Sequence, residues 1–387
     1  MFSNESVNLR LLSNRAFNLR WASVPQGTIP LTAADPDFPC AEPIREAVSR
    51  YAREGYFSYG PTQGLLTFRN SLANNYHATR NVSYHVDQIL PVDSAAFGIY
   101  LTCKTYLSAG DEAIIFDPVD FLFRYSVEAV GATAVAFPTP QSLDAIDFSS
   151  LEQFISGKTK MICLCNPLNP TGKVFTKEEL KSLGEIAIKH DLIILSDEIW
   201  SDIIFAPHAF TSIASIDEAI KKRTITITGF SKSYGLAALR IGAVFCPDAA
   251  SYSNIFAASM HASTVHGCNV AGQIAATAAL EECGEWLVNF VAHLQKMRDI
   301  CIAGLNEIHG ISCMAPQGCY VAFANITKTG NSSTEIYNLL MNEAKVAVVP
   351  GLKQWFGKGA EGYIRLSFAT SASILSEALA RIKKRLN

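Results

Sequence analysis

Four side chains in this sequence have the chemistry of a nucleophile, an acid and two polar ligands. Lys232 lies in the Gly- and Ser-rich stretch GFSKSYG, and Arg240 follows eight residues later. Asp197 closes the apolar run LIILSD, and Asn169 belongs to the stretch NPLNPTG. An amine, a carboxylate, an amide and a guanidinium would together suit an aldehyde cofactor with a basic ring nitrogen, a phenolic oxygen and a phosphate. Taken singly, each stretch would also fit a surface turn or a helix cap.

The position of these residues strengthens the argument, because each polar stretch follows a short apolar run typical of a buried strand. Thr176 and Glu179 predict a capping box at the start of a helix between two such runs. Repetition of strand, helix and strand predicts a parallel sheet covered on both faces, and such sheets bind ligands at the carboxyl ends of their strands. The strand-like runs are DEAIIFDP (111–118), ATAVAFP (132–138), KMICLCN (160–166), LIILSDE (192–198), TITITGF (224–230) and RIGAVFC (240–246).

The last hundred residues have a different pattern. KMRDICIAGLNEIHG (296–310) predicts a helix, CYVAFANI and EGYIRLSF predict short strands, and a basic helix ends in RIKKRLN. This order predicts an α+β segment appended to the α/β core.

Composition and charge exclude several classes of function. The 387 residues include 32 Lys and Arg against 35 Asp and Glu, so no basic field would attract a nucleic-acid backbone. No apolar run reaches the roughly 20 residues of a membrane-spanning helix, and the first residues lack the apolar segment of a signal peptide. Ten cysteines without C-x-x-C spacing predict no zinc site and no disulfide framework. We therefore expect a cytoplasmic enzyme with no metal and no nucleic-acid or membrane partner.

Four motifs in this order, NPLNPTG, SDE, FSKSYGLAALRIG and YIRLSF, resemble those of the class I and II aminotransferases, from about residue 31 to 380. The resemblance implies the α/β fold of type I: a three-layer αβα arrangement with a mostly parallel sheet, plus a smaller α+β domain. It places a large cofactor-binding domain at residues 40–285 and a small domain at residues 1–39 and 286–387. It implies amino transfer between an L-amino acid and a 2-oxo acid, with pyridoxal 5′-phosphate as cofactor, in a homodimer with shared active sites.

The resemblance also assigns roles around the cofactor ring. Lys232 would hold the cofactor as a Schiff base and, once displaced by substrate, would move protons. Asp197 would pair with the ring nitrogen and keep it protonated. Asn169 would donate to the phenolic oxygen beside the substrate. Trp200 stands where a tyrosine commonly helps to hold that oxygen, and it can donate only through its indole N–H.

The phosphate-binding roles fall on two parts of the chain. Arg240 and Ser94 would hold the phosphate, with Ala95 and Ser231 beside them. The loop before Ser94 departs from the family pattern, because Asp93 would repel a phosphate unless its side chain turns away.

Three further residues are implied at the substrate and at the subunit boundary. Tyr59, in FSYGPTQG, matches a tyrosine that reaches the phosphate of the neighbouring subunit. Arg365, in YIRLSF, would clamp the substrate α-carboxylate. Ala34 lies near that carboxylate, at a position where the aminotransferases usually have glycine.

Asp120, in DPVDFLF, replaces the aromatic residue that stacks on the cofactor ring in the family. Phe121 or Phe123 must then stack on the ring, or the stack is missing. Phe121, Phe123 and Trp200 also indicate an apolar or aromatic pocket for the substrate side chain. No second cation can be assigned to a distal carboxylate, so the sequence leaves the substrate open.

Several interpretations remain open at this point, among them other pyridoxal-phosphate reactions such as racemisation. Transamination is the first expectation because it is the commonest activity of the group. The stretches NRAFNLRW and LTAADPDF resemble the cystathionine β-lyase-like branch, so a C–S β-lyase that releases thiol, ammonia and pyruvate is the alternative. A cofactor-bound regulator without turnover is a third interpretation, motivated by Asp93, Asp120 and Trp200.

Overall fold

The computed structural model describes all residues from Met1 to Asn387, with strands and α-helices numbered in chain order. The strands are β1 (Ile29–Pro30), β2 (Ile89–Val92), β3 (Glu112–Asp117), β4 (Thr133–Pro138), β5 (Thr159–Cys165), β6 (Ile193–Asp197), β7 (Thr224–Gly229), β8 (Gly242–Phe245), β9 (Val321–Asn325), β10 (Val346–Ala347), β11 (Val349–Pro350) and β12 (Tyr363–Ser367). The α-helices are α1 (Leu9–Asn14), α2 (Leu19–Ser23), α3 (Glu42–Glu54), α4 (Leu66–Arg80), α5 (Ala95–Tyr106), α6 (Phe121–Glu128), α7 (Lys177–Lys189), α8 (Glu218–Lys221), α9 (Ala249–Ser259), α10 (Val270–Glu282), α11 (Gly284–Asn306), α12 (Ser333–Leu339), α13 (Lys353–Phe356) and α14 (Ala372–Leu386). None of these helices is both long and apolar enough to cross a bilayer.

A seven-stranded sheet forms the centre of the molecule, in the order β2-β8-β7-β6-β5-β3-β4. The strands β3 to β7 pair in parallel, and β8 runs antiparallel to both of its neighbours. This confirms the predicted mostly parallel α/β sheet. Because β5, β6 and β7 lie side by side, the polar residues that follow them emerge at one edge of the sheet.

Both faces of this sheet are buried, as the sequence predicted. Along β2, Ile89 belongs to one hydrophobic core and Leu90 to another. Along β8, Phe245 and Val244 divide between the same two cores. Successive side chains of a strand point to opposite faces, so each face of the sheet packs against its own layer.

Two smaller sheets lie in the C-terminal part of the chain, and one of them includes a strand from the N-terminal part. The strands β11, β12 and β9 form an antiparallel sheet in that order, and β1 pairs in parallel with β10. The first thirty residues therefore lie against the C-terminal hundred. The sheet places Arg365 in the middle of β12, opposite Phe323 of β9 and Val349 of β11.

The strand predictions hold to within two residues for all six apolar runs. The helix predicted over 296–310 overlaps α11, which begins earlier, at Gly284, and ends earlier, at Asn306. The sequence pattern missed β2, whose four residues ILPV include a proline that strand propensity disfavours.

The predicted capping box at the start of α7 is confirmed, and the Glu179 carboxylate also makes contacts outside the box. Thr176 Oγ1 accepts from the Glu179 N–H at 3.2 Å, and Glu179 Oε2 accepts from the Thr176 N–H at 2.8 Å. Glu179 Oε1 also accepts from the Ile146 N–H at 2.6 Å and lies 3.1 Å from Lys173 Nζ. The side chains of this ion pair are only 2% and 4% exposed, so Glu179 neutralises a buried ammonium.

We expect Glu179→Ala to lower the free energy of unfolding by about 3–5 kcal/mol, because the Lys173 charge would stay buried without a partner. Thr176→Ala is the matched control, since it removes only the cap and should cost about 1 kcal/mol. Denaturant unfolding followed by circular dichroism measures both. If both variants lost the same free energy of unfolding, the buried ion pair would not contribute to stability as proposed.

Candidate functional site

Polar side chains from the seven-stranded sheet and from the three-stranded sheet meet at the carboxyl ends of β5, β6 and β7. Asn169 follows β5, Asp197 ends β6, and Lys232 follows β7. Arg365 reaches the same place from β12 of the small sheet, and its Nη1 donates to Asn169 Oδ1 at 3.1 Å. The structure therefore brings together the predicted amine, carboxylate, amide and substrate clamp.

Arg365 is held by groups that a ligand carboxylate could replace or join. Its Nη2 donates to the Thr32 carbonyl at 3.1 Å, and its guanidinium lies 5.1 Å from the centre of the Phe356 ring. The buried Nε has no partner in the protein. A buried donor without an acceptor costs free energy, so the guanidinium can donate a further hydrogen bond to a ligand oxygen atom.

The Lys232 amine lies next to Arg365 and points at the N-terminal segment. Its Nζ donates to the Ala34 carbonyl at 2.7 Å, and the Tyr320 hydroxyl donates to the same oxygen at 3.2 Å. Burial lowers the pKa of Lys232, and the nearby Arg365 lowers it further. Asp120 and other carboxylates oppose this shift. A lowered pKa increases the share of neutral amine, which is the nucleophilic form.

Asp197 is a buried carboxyl that lacks a close cation. Its Oδ1 accepts from the Ile199 N–H at 3.1 Å. Burial raises the pKa of Asp197 to about 7, and the negative charges of Asp120 and Glu198 add to the rise. A positively charged group bound beside Asp197 would reverse this shift.

The N-terminus of α5 provides a group of donors near the end of β7. Ser94 caps this helix, and its Oγ accepts from the Phe97 N–H at 3.0 Å. The preceding N–H groups, including that of Ala95, have no acceptor within the helix. Gly242 lets the backbone approach closely, because a Cβ there would lie 2.8 Å from the Ala95 nitrogen. Twelve residues of aligned peptide dipoles favour an anion at this end.

Arg240 and Asp93 flank this helix terminus with opposite charges. Arg240 is exposed, has a left-handed backbone with φ of 47°, and takes part in none of the ion pairs. Asp93 Oδ1 accepts from the Cys268 thiol at 3.4 Å. Its carboxylate is therefore engaged with the start of α10, and Ser231 lies half-buried at the same end of the sheet.

Tyr59 is not brought to the other site residues within one chain. It is 86% exposed, and its ring packs against His266 with 5.1 Å between ring centres. Tyr56 and Phe57 beside it are 80% and 71% exposed. Exposed aromatic residues in one segment are typical of an interaction surface.

The aromatic candidates for the ring-binding position lie in different places. Phe123 is buried in the core, so it is not available to a ligand. Phe121 is half-buried and packs edge-on against Trp355 at 5.5 Å. Trp200 is buried against Tyr320, with Lys232 Nζ 5.3 Å from its ring centre.

Asp120 has contacts that the sequence did not reveal. Its Oδ2 accepts from Asn169 Nδ2 at 2.8 Å and lies 3.9 Å from Arg365 Nη1. Its Oδ1 accepts from the Leu122 N–H at 3.2 Å and caps α6. The Asp-Phe-Leu order at a strand end is a local signal for the cap, whereas the Asn169 contact joins residues 49 positions apart.

A cavity of about 650 Å³ opens beside Arg365 and Asp120. Sequence reasoning missed most of its walls, because they come from α2, α12, α13 and the loops between them. They carry no chemical motif that a single sequence could mark. The walls include Thr32, Phe121, Tyr337, Trp355 and Phe356.

Comparisons with known proteins agree with this geometry. The model of the family "Aminotransferase class I and II" matches residues 26–382. An aspartate aminotransferase from Bacillus subtilis (strain 168) is 33% identical over 365 residues, covering 92% of this chain and 90% of that protein. The crystal structure of an aromatic aminotransferase from Pyrococcus horikoshii OT3 matches with a TM-score of 0.87 and 29% identity, over 93% of this chain and 96% of that one.

A more distant structure shares the fold. Cystalysin from Treponema denticola, which contains a pyridoxal 5′-phosphate cofactor, matches with a TM-score of 0.91 over 100% of this chain and 99% of that one. At 22% identity this likeness shows the fold alone. The family model and the two aminotransferases favour amino transfer over the C–S lyase alternative.

The raised pKa of Asp197 predicts how the stability of the cofactor-free protein depends on pH. The folded carboxyl has a pKa of about 7 against an ordinary value of 3.8, so folding is penalised increasingly as pH rises between these values. Relative to Asp197→Asn, the wild type should lose up to about 4 kcal/mol between pH 4 and 7, and nothing more above pH 7. Unfolding by denaturant at several pH values measures this difference.

Asp191→Asn serves as the control, because that side chain is 90% exposed and its removal should not alter the trend between pH 4 and 7. If the free energies of unfolding of the wild type and Asp197→Asn differed by the same amount at every pH, the raised pKa of Asp197 would be disproved.

Proposed function

We propose a division of labour among the site residues of this chain, which belongs to the aminotransferase class I and II family and is a pyridoxal-phosphate-dependent aminotransferase. It moves an amino group between an amino acid and a 2-oxo acid. The observation that carries our assignment is the Arg365–Asn169 hydrogen bond, which brings a carboxylate clamp beside the amine of Lys232.

The donor set fits the cofactor. Asp197 is a buried carboxyl with a raised pKa and would be stabilised as an anion by a protonated ring nitrogen. Arg240, exposed and without an ion pair, and the N–H groups at the start of α5, beside Ser94 and Ala95, offer the charge and donors that a phosphate requires. When bound, pyridoxal phosphate supplies an aldehyde for amines and a ring that accepts the electron pair released at the substrate Cα.

Substrate binding falls to Arg365. Two of its N–H groups now donate to Asn169 Oδ1 and the Thr32 carbonyl, and its Nε has no acceptor. A substrate α-carboxylate would accept from this planar guanidinium in bidentate fashion. Because Arg365 lies 9% exposed, this carboxylate would be held away from bulk water, where its charge–charge attraction is strong.

Proton movement falls to Lys232. The lowered pKa of its ammonium favours the neutral amine, which could take a proton from the substrate Cα and return it to the cofactor carbon on the other side of the transferred nitrogen. The Ala34 carbonyl and the Tyr320 hydroxyl mark the place where Nζ rests. Asn169 keeps one amide N–H free while the other donates to Asp120, so it can donate to the phenolic oxygen.

We expect Lys232→Ala to lower kcat for amino transfer by at least about 10⁴-fold, because the amine that moves the proton is gone. Lys222→Ala removes an exposed lysine and is the matched control. Borohydride reduction should attach the cofactor to Lys232 in the wild type and not in the variant, as read by peptide mass. Amino transfer by Lys232→Ala at the wild-type rate would overturn the assignment.

A homodimer with shared sites is supported by the exposed aromatic segment that contains Tyr59. Its ring packs on His266, and the neighbouring Asn269 donates through Nδ2 to the carbonyl of Arg240 at 2.9 Å. These contacts place the segment on the side of its own chain that carries Arg240, although Tyr59 itself contacts no site residue of that chain. A second copy related by two-fold symmetry would cover the exposed rings of Tyr56, Phe57 and Tyr59 and bring its own Tyr59 to this side.

Mixed dimers test this arrangement. A Tyr59→Ala chain and a Lys232→Ala chain would each form a homodimer that has lost most or all activity. Refolded together in equal amounts, they should regain about one quarter of wild-type activity, since half of the dimers would contain one intact site of two. Activity equal to the mean of the two separate variants would contradict a shared site.

Two further expectations remain part of this proposal. The division into residues 40–285 and residues 1–39 with 286–387 is supported by the pairing of β1 with β10. A cytoplasmic location is supported by the ten cysteines, all of which are free thiols.

A further inference from the structure

The cavity beside Arg365 contains only two charged side chains. These are Arg365 itself and Asp120, and all other wall residues are apolar, aromatic or neutral and polar. Arg365 is assigned to the substrate α-carboxylate, so Asp120 is the one charge left to face the remainder of a substrate.

The Asp120 carboxylate has unused capacity to accept hydrogen bonds. Oδ1 accepts from the Leu122 N–H and Oδ2 from Asn169 Nδ2, which leaves about two of its four lone-pair sites free. The side chain is 18% exposed and is one of the residues that line the cavity. A cation in the cavity could therefore reach it.

Substrate binding would change the charge balance around Asp120. In the free protein, Arg365 Nη1 lies 3.9 Å from Asp120 Oδ2 and offsets its charge. An α-carboxylate on Arg365 would cancel that offset and leave Asp120 with an excess negative charge in a partly dry cavity. A positive charge on the substrate side chain would restore neutrality, whereas a second carboxylate would add repulsion.

The aromatic walls suit the same ligand. Phe121, Tyr337 and Trp355 line the cavity, and Phe356 already holds a guanidinium at 5.1 Å from its ring centre. Ring faces attract ammonium and guanidinium groups. These walls would therefore strengthen the attraction of the Asp120 carboxylate for a cationic substrate side chain.

We propose that Asp120 selects amino acids whose side chains end in a guanidinium or ammonium group over neutral and acidic side chains of similar length. This inference rests on the proposed role of Arg365 in amino transfer. It names a specificity residue for that same site.

L-arginine and L-citrulline provide a matched pair of substrates, because guanidinium and urea groups have the same shape and differ in charge. The wild type should show kcat/KM for arginine at least about tenfold above that for citrulline. In Asp120→Asn, which keeps an oxygen to cap α6, the ratio should fall to about one. Asp248→Asn is the control, because Asp248 caps α9 away from the cavity, and the ratio there should stay at the wild-type value.

A binding measurement separates this inference from amino transfer itself. Calorimetry on the cofactor-loaded enzyme with 4-guanidinobutanoate, 4-ureidobutanoate and adipate needs no turnover. The guanidino acid should bind at least about tenfold more tightly than the other two in the wild type, and comparably to the ureido acid in Asp120→Asn or Asp120→Ser.

The possible results test two separate claims, selection by Asp120 and amino transfer. Equal or stronger binding of the ureido acid or adipate by the wild type would overturn the selection by Asp120. Equal losses of kcat/KM for arginine and citrulline in Asp120→Asn would also overturn it, because they would show that the Asp120 carboxylate does not distinguish a charged from a neutral substrate side chain. The absence of amino transfer from any amino acid would refute the proposed function, while the guanidino preference in binding would still report on Asp120.

Discussion

The hydrogen bond from Arg365 Nη1 to Asn169 Oδ1 fixes the arrangement on which the site depends. Arg365 belongs to the small antiparallel sheet and Asn169 to the segment after β5 of the large sheet, 196 positions away in sequence. A buried guanidinium needs acceptors for its N–H groups, so the two sheets are held where those acceptors exist. The same guanidinium lowers the pKa of Lys232 and offsets Asp120. The relative position of the sheets therefore sets the electrostatics of the site.

Burial acts on Asp197 and Lys232, to which we assign catalytic roles, in a way that a simple ion pair would not. An ion pair would lower the pKa of the carboxyl and raise that of the amine. Here desolvation raises the pKa of Asp197 and lowers that of Lys232, so both groups are moved towards their neutral forms. The Lys232 charge lowers the pKa of Asp197 less than burial raises it, so further stabilisation of the anion would come from a bound group. The protein alone holds the site in a state that a cationic ring nitrogen and an anionic carboxylate would complete.

The sequence predicted the strands and helices that carry the site. It did not predict the orientation of the site's side chains or the contacts between residues far apart in the chain. The apolar runs and the Thr176–Glu179 box are local patterns, so strand ends and the start of α7 were predictable. The direction of Asp93 depends on Cys268, 175 positions away, and no local pattern encodes it. The exposure of Arg240 likewise depends on packing between distant segments. Residue types at strand ends thus identify a site, whereas their orientation is a property of the tertiary fold.

The contacts of Asp120 within the protein do not require its negative charge. A helix cap needs an acceptor, and asparagine or serine caps about as well as aspartate. The amide of Asn169 needs an acceptor too, and a neutral oxygen would serve. A full charge that is only 18% exposed costs desolvation free energy, which these neutral contacts only partly offset. Arg365 and the Lys232 ammonium both offset this charge in the free protein. A substrate carboxylate on Arg365 would reduce that compensation, so a cationic group on the ligand would supply a further counterpart.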